Sequence, residues 1–373
     1  MMTKRKSNIA LIFGGMSGEH EVSLMSARSV LSVIDRDKYN VIEIGITRAG
    51  SWLTGKNVLE AFEQHRLENL RPAHLLSDPS MQGLYVMEKD PNLKDRILPV
   101  DVYFPLVHGT HGEDGSLQGL FELAGAAYVG ANIVSSAVGM DKGVFKSVMT
   151  ANGIPVVNSL VMLRSEIEKN MDEAASKAET VGAYPLFIKP ANSGSSVGIT
   201  KCSSRADVIE GLQEATLYDR RIIIEQGIQN PREIEISLLG NDDPEASVAG
   251  EIIPGAEYYS YEAKYLWNSA RLCIPALISA EEAQLIKDYA VRAYKAVDCC
   301  GMARVDFLID SANGKIYLNE INTIPGFTQI SMYPKLWEAS GLPYPALIDK
   351  LIDLAVERKT DRGHTIHQYR REK

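Results

Sequence analysis

Two short runs late in the chain constrain the fold most. ARVDFLID, from Ala303 to Asp310, sets Arg304 and Asp306 two apart in an apolar stretch, and NEINTIPGFT, from Asn319 to Thr328, does the same with Glu320 and Asn322. Residues two apart on a β-strand project to one face. If the two strands are neighbours, two carboxylates, one amide oxygen and one guanidinium meet at a single spot. Hard oxygen donors of this kind suit Mg²⁺ held on a nucleotide phosphate. An arginine beside them suits a centre that becomes anionic during reaction.

The rest of the sequence sets limits on what surrounds this hairpin. A length of 373 residues predicts two or three domains. With 45% hydrophobic and 23% charged residues, the composition is that of an ordinary globular protein able to bury a large core. The formal net charge of −9, with no dominant basic patch, argues against a nucleic-acid partner. Cys202, Cys273, Cys299 and Cys300 show no CxxC spacing and read as reduced, buried thiols of a cytoplasmic protein. MMTKRKSNIALIFGG has too short an apolar run for a signal peptide and reads as a disordered start feeding a first strand. No stretch approaches the roughly 20 apolar residues of a membrane span.

Along the chain the pattern changes style. Strands at Asn8–Phe13, Val41–Ile46 and Val100–Val107, with a helix at Glu21–Ile34, give the βαβ rhythm of an open parallel sheet. Residues 55–95 read as a polar excursion with a short hairpin near Leu84–Met87. Beyond Gly130, helices are expected over Met140–Ala151, Glu166–Val181 and Ala206–Thr216. PLFIKPANSGSSVGITKC reads as strand, small-residue tip and strand, a hairpin suited to closing over a ligand. Arg221–Glu225, Glu233–Leu239 and Ser247–Ile253 read as one antiparallel sheet. Pro254–Pro275 is a long aromatic loop, Ala280–Val297 an amphipathic helix and Tyr344–Arg358 a closing helix. The domains implied are 1–133 (α/β), 134–228 (α+β, with the lid) and 229–373 (α+β, with the hairpin and the long loop).

Several motifs carry chemistry. Lys189 ends the strand LFIKP; alone it is a solvated edge charge, but the Gly/Ser tip that follows offers backbone N–H groups and hydroxyls to an anion. The GxxxxGK[ST] pattern of a P-loop is absent. Lys142, in GMDKGVFK, is a second positive charge at a helix start. GGMSGEHEVSL follows the first strand, without the GxGxxG spacing of a dinucleotide fingerprint. Its Glu19 reads either as a helix-dipole partner or as a holder of a substrate ammonium at the strand ends. HGTHGEDGSLQG, from His108 to Gly119, reads as a backbone-shaped substrate loop rather than a transition-metal site, because its ligand-type residues alternate with glycines.

In this order GGMSGEHEVSL, HGTHGEDGSLQG, MDK, FIKPANSGSSVG, YEAKY, ARVDF and NEINTIPGFTQISMYP resemble the D-alanine–D-alanine ligases, ATP-grasp enzymes of bacterial cell-wall synthesis. The resemblance runs from about Asn8 to Asp353. It implies an ATP-grasp fold with an N-terminal open parallel-sheet domain, and the ATP-dependent joining of two D-alanines through a D-alanyl phosphate. Asp306, Glu320 and Asn322 match the family's Mg²⁺ ligands, two ions with Glu320 bridging; the match leaves room for Mn²⁺ in their place and for a monovalent cation. Lys142 and Lys189 match the lysines on the α- and β-phosphates, Lys264 the one that reaches the γ-phosphate, and Ser196 lies in the phosphate-binding tip. Glu225 matches the acid at the adenine amino group, Ile228 the backbone contact to the base and Glu233 the acid at the ribose. Glu19 matches the residue that takes the first D-alanine's ammonium, with His108 as its neighbour, and Ser195 and Tyr265 link the lid loops to it. Arg304 matches the side chain on the acyl phosphate and oxyanion. Gly326 lets backbone approach that oxyanion, and Ser331 with the backbone of Met332 matches the site of the second D-alanine's carboxylate.

Tyr265 at the end of YEAKY resembles the D-Ala–D-Ala enzymes, where relatives making D-Ala–D-lactate carry Phe or His. Gln226 departs from the Lys that many members place beside the adenine. The resemblance further implies a cytoplasmic homodimer. Rival readings are a D-Ala–D-Lac or D-Ala–D-Ser ligase of the same fold and a non-catalytic nucleotide-binding protein.

Overall fold

The computed structural model describes residues 5–88, 94–194, 197–253 and 271–366. Three β-sheets organise them. The first is centred on β1 (Ser7–Gly14), whose continuous apolar run is buried on both faces, as such runs must be. It lies between β2 (Tyr39–Ile46) and β7 (Val102–Pro105), parallel to both. Among the described strand pairs of this sheet, those at the centre alone are parallel. The polar excursion contributes β3 (Trp52–Thr54), β4 (Arg71–Leu75), β5 (Leu84–Val86) and β6 (Arg96–Leu98), all antiparallel, to give the order β6-β5-β4-β3-β2-β1-β7. Helices α1 (His20–Val33), α2 (Val58–Glu63) and α3 (Ser116–Leu123) belong to this layer.

The expected helix over Met140–Ala151 is two helices, α4 (Ile133–Met140) and α5 (Lys142–Ala151). Asp141 breaks the line because its carboxylate caps α5, accepting from Gly143 N at 3.0 Å and Val144 N at 2.9 Å. Likewise Asn170 divides Glu166–Val181 into α6 (Arg164–Lys169) and α7 (Met171–Glu179), its side chain capping the second.

The second sheet joins β8 (Ser159–Leu163), β9 (Leu186–Pro190), β10 (Thr200–Cys202) and β11 (Arg221–Gln226) in the order β10-β9-β11-β8, with α8 (Arg205–Tyr218) packed beside α7. Strand β11 therefore sits with the lid hairpin rather than with Glu233–Leu239. It pairs antiparallel with β9, setting Lys189 opposite Ile223.

The third sheet holds β12 (Arg232–Gly240), β13 (Glu245–Ile253), β14 (Arg271–Cys273), β15 (Gly301–Ile309) and β16 (Ile316–Asn322), in the order β14-β13-β12-β15-β16. On β15 Val305, Phe307 and Ile309 are buried while Arg304, Asp306 and Leu308 are partly open, the period of two that the sequence shows. The pairing sets Arg304 opposite Asn322 and Asp306 opposite Glu320, with a bulge just beyond Asp306. Bulges re-aim side chains next to functional sites.

Helix α9 (Ala280–Ala296) covers this sheet, opened by a capping box in which Ser279 Oγ accepts from Glu282 N at 3.1 Å and Glu282 Oε2 accepts from Ser279 N at 2.8 Å. After β16 the chain enters α10 (Met332–Ala339) and α11 (Tyr344–Arg362). The apolar face of α11 (Leu347, Ile348, Leu351 and Ile352) packs into the same core as Ile9, Leu11 and Phe104 of the first sheet. Phe327 is wedged there, 5.9 Å edge-to-face from Phe104 and 5.5 Å from Tyr333. Removing a buried ring of this kind costs about 3–5 kcal/mol. The turn after β16 is thus anchored to the first sheet as well as to its own.

Candidate active site

A cavity of about 850 Å³ opens where the three sheets face one another. Fourteen of the residues given a role from the sequence line it. Ser195, Ser196, Lys264 and Tyr265 lie outside the described residues.

One end is built from ions. On α5, Lys142 and Lys146 are one helical turn apart and share a face. Lys142 Nζ donates to Ser193 O at 2.7 Å. Lys146, buried, lies 3.1 Å from Glu225 Oε1, and Lys189 lies 2.6 Å from Glu225 Oε2. Burial alone would push the Glu225 carboxyl up, but the two ammonium groups outweigh it and hold it at about 2. Lys142 behaves oppositely: burial and the charges of Lys189 and Lys146 pull its ammonium below the usual value. Three lysines around one carboxylate leave an excess of positive charge, which suits a polyphosphate. Ile228 and Glu233 line the same stretch. Gln226 lines it too, with its Oε1 accepting from Asn158 Nδ2 at 3.1 Å.

The β15–β16 hairpin closes this end. Arg304 forks onto Asp306, Nε to Oδ1 and Nη2 to Oδ2 both at 2.7 Å, and its Nε also lies 2.9 Å from Glu235 Oε2. Burial disfavours the guanidinium charge, yet Asp306 and Glu235 raise its pKa well above the usual value. Asn322 Nδ2 donates to Asp306 Oδ2 at 2.9 Å. Glu320 faces the same cavity from the opposite strand. Two carboxylates and an amide form a hard-oxygen donor set that fits a divalent cation. Among the described residues no cluster of three His, Cys, Asp or Glu side chains encloses one, so phosphate oxygens would have to complete the coordination shell.

The other end is held mostly by backbone. Glu19 occupies the N-cap position of α1, buried between two glycines. A Cβ on Gly109 would come 2.5 Å from its Oε2, and one on Gly194 2.7 Å, so a side chain at either position would displace the Glu19 carboxylate. His108 is buried with both ring nitrogens engaged. Its Nδ1 lies 3.0 Å from Ile324 O and its Nε2 3.0 Å from Ser26 Oγ. Burial lowers the His108 pKa, so the ring is neutral, with Nδ1–H donating to the carbonyl and Nε2 accepting from the serine. Ser331 sits at the start of α10; its Oγ accepts from Thr328 N at 3.0 Å and lies 2.7 Å from Thr328 Oγ1. Gly326 and Met332 complete this wall. The Met332 side chain is buried with Ile252 and Leu336, which leaves its backbone at the helix N-terminus for a ligand.

Four participants escaped the sequence reading: Lys146, Glu235, Ser26 and Glu113. Lys146 is signalled by its spacing of four from Lys142, and Glu235 by its spacing of two from Glu233. Glu113 lies in the loop read as a substrate loop, but its tie to Ile324, like the ties of Ser26 to His108 and Phe327, has no local signal because the partner lies far along the chain.

A mixed sheet and two antiparallel sheets clasping one cavity, with lysines on one wall and acids on the other, form an ATP-grasp architecture. Residues 8–131 match the family model described as D-ala D-ala ligase N-terminus, and residues 148–353 the one described as D-ala D-ala ligase C-terminus. A D-alanine–D-alanine ligase of Caldicellulosiruptor bescii is 48% identical over 97% of this chain and 98% of its own length. One of Heliobacterium modesticaldum is 46% identical over 96% of each. Among solved structures, the VanG D-Ala:D-Ser ligase of Enterococcus faecalis superposes with a TM-score of 0.83 at 38% identity, covering 94% of this chain and 100% of that one. The chain belongs to the D-alanine–D-alanine ligase family.

Proposed function

We propose that the cavity performs the family's reaction in two steps at one D-alanine carboxyl, held between its two ends. ATP phosphorylates the carboxylate of a first D-alanine, and the amine of a second D-alanine displaces phosphate from the D-alanyl phosphate, giving D-alanyl-D-alanine for peptidoglycan precursors. The observation that supports this best is the single cavity wall on which Arg304, Asp306, Glu320 and Asn322 converge, with the Gly326–Ser331 turn directly following.

A carboxylate is a poor acyl donor, and phosphoryl transfer requires mainly positioning and charge neutralisation. Lys142 and Lys189 hold the α- and β-phosphates, and Lys264 the γ-phosphate. Incoming phosphates would draw Lys189 from Glu225 and leave that carboxylate, still held by Lys146, to accept from the adenine amino group. Ile228 offers its backbone to the base and Glu233 its carboxylate to the ribose; Ser196 adds a donor at the lid tip. Asp306, Glu320 and Asn322 would hold Mg²⁺, two ions per site, which neutralises phosphate charge when bound; Mn²⁺ and a monovalent cation are the further ions to test.

Glu19 takes the first D-alanine's ammonium beside His108, with Ser195 and Tyr265 linking the lid loops to it. Arg304 and the backbone at Gly326 stabilise the tetrahedral oxyanion. Ser331 and the Met332 backbone receive the second carboxylate at the start of α10. The three domains divide near residues 133 and 228. Among the described residues no helix is long and apolar enough to cross a membrane, and we place the protein in the cytoplasm as a homodimer.

Phosphate release with D-alanine, ATP and Mg²⁺ tests the reading. Release that requires D-alanine supports it; release that proceeds equally without D-alanine overturns it.

A further inference from the structure

Glu113 is absent from the roles above, yet it joins two parts of the cavity wall. Its Oε2 accepts from Gly109 N at 2.7 Å, inside the loop that carries His108. Its Oε1 accepts from Ile324 N at 3.2 Å, on a segment 211 residues away. The carbonyl of the same Ile324 accepts from His108 Nδ1 at 3.0 Å. One residue is therefore gripped through both its backbone N–H and its C=O by side chains of the loop after β7. A second tie lies three residues on, where Phe327 N donates to Ser26 Oγ at 3.3 Å.

Between these ties lie Pro325 and Gly326. The turn cannot shift toward or away from Glu19 without breaking the hydrogen bond between Ile324 N and the buried Glu113 carboxyl. Withdrawal from water and the nearby charge of Glu19 push the Glu113 carboxyl well above the usual range. A carboxyl kept in so unfavourable a place points to geometry rather than net charge as its contribution.

We propose that Glu113 is a positioning residue for peptide-bond formation, on the reading of Gly326 to Ser331 as the second D-alanine's subsite. It sets the distance between the acyl group held near Glu19 and the amine held by the turn. The two carboxyl oxygens each accept from one N–H donor. Glutamine cannot do this, because one of its two terminal atoms is itself a donor. Aspartate keeps the carboxyl but falls one methylene short.

The test separates the two half-reactions. With hydroxylamine in place of the second D-alanine, the D-alanyl phosphate carbonyl forms a C–N bond to hydroxylamine and loses phosphate, giving a hydroxamate that needs no carboxylate subsite. Glu113→Gln and Glu113→Asp should raise the hydroxamate-to-dipeptide ratio on the order of tenfold, together with the KM for the second D-alanine. Parallel loss of both products, with the ratio unchanged in both variants, overturns the inference and leaves Glu113 a structural residue. Ser331→Ala, measured alongside, tests the underlying reading. An unchanged KM for the second D-alanine in that variant overturns the assignment of the turn. A raised KM there with no change in either Glu113 variant overturns the role of Glu113 alone.

Discussion

At the end of the cavity proposed to take the phosphates, ions hold ions: Lys146 and Lys189 on Glu225, Arg304 on Asp306 and Glu235. At the end proposed to take the amino acids the contacts run through backbone groups and a neutral imidazole: His108 to Ile324 O, Glu113 to Gly109 N and Ile324 N, Ser331 to Thr328 N. The difference fits what each end is proposed to do. Phosphoryl transfer moves charge, and side-chain ion pairs can exchange partners when a polyphosphate and its cations arrive. Peptide-bond formation needs two small molecules held at a fixed separation, and a 1 Å error there is costly. Hydrogen-bonded backbone supplies that rigidity better than long flexible side chains.

The harshest way to break the comparison is to remove a carboxylate from the ionic end. Glu320→Gln should abolish turnover, a loss on the order of 10³-fold or more in kcat, with the fold intact by thermal denaturation. Near-normal turnover would mean the cation site lies elsewhere. Arg304→Lys keeps a positive charge but loses the fork onto Asp306, and kcat should fall about 10²-fold. Steady-state kinetics showing only a raised KM for ATP would assign the arginine to nucleotide binding instead.

Lys146→Met acts more mildly and sharpens the ionic end. The KM for ATP should rise about tenfold, since Glu225 would keep only Lys189, the lysine that phosphates draw away. The same variant carries a pH signature. The folded Glu225 carboxyl sits at about 2, below its ordinary 4.5. Its stabilising contribution is therefore complete above the ordinary value and is lost as pH falls through the folded one. Removing Lys146 raises the folded value, so acid unfolding should begin at a higher pH than in the wild type. Thermal midpoints measured from pH 2 to 5 that superimpose for the two proteins would contradict the pairing.

Much of the ionic end was legible in the sequence, because its signals are local and periodic. Arg304 with Asp306, and Glu320 with Asn322, lie two apart in apolar strands, and that spacing alone puts them on one face. The first parallel strands announce themselves by continuous apolar runs. The excursion hid its architecture because β3, β5 and β6 are three residues each, too short to display a period. Strand β11 joined the lid sheet because sequence order does not dictate which edge a strand pairs with. Asp141 read as part of a helix although its side chain starts one. At the other end, Glu113 lay in a motif read as a substrate loop, but its tie to Ile324 could not be found, nor could the ties of Ser26. Each acts through a backbone group hundreds of residues away, and a backbone group leaves no mark on the sequence.

The central claim is that this one cavity joins two D-alanines. Offering D-alanine, D-serine and D-lactate together with ATP and Mg²⁺, and identifying the products by mass, tests it most directly. The account predicts D-alanyl-D-alanine as the dominant product, with phosphate released one-for-one. Predominant D-Ala–D-Ser or D-Ala–D-Lac, or phosphate release with no dipeptide, would contradict it.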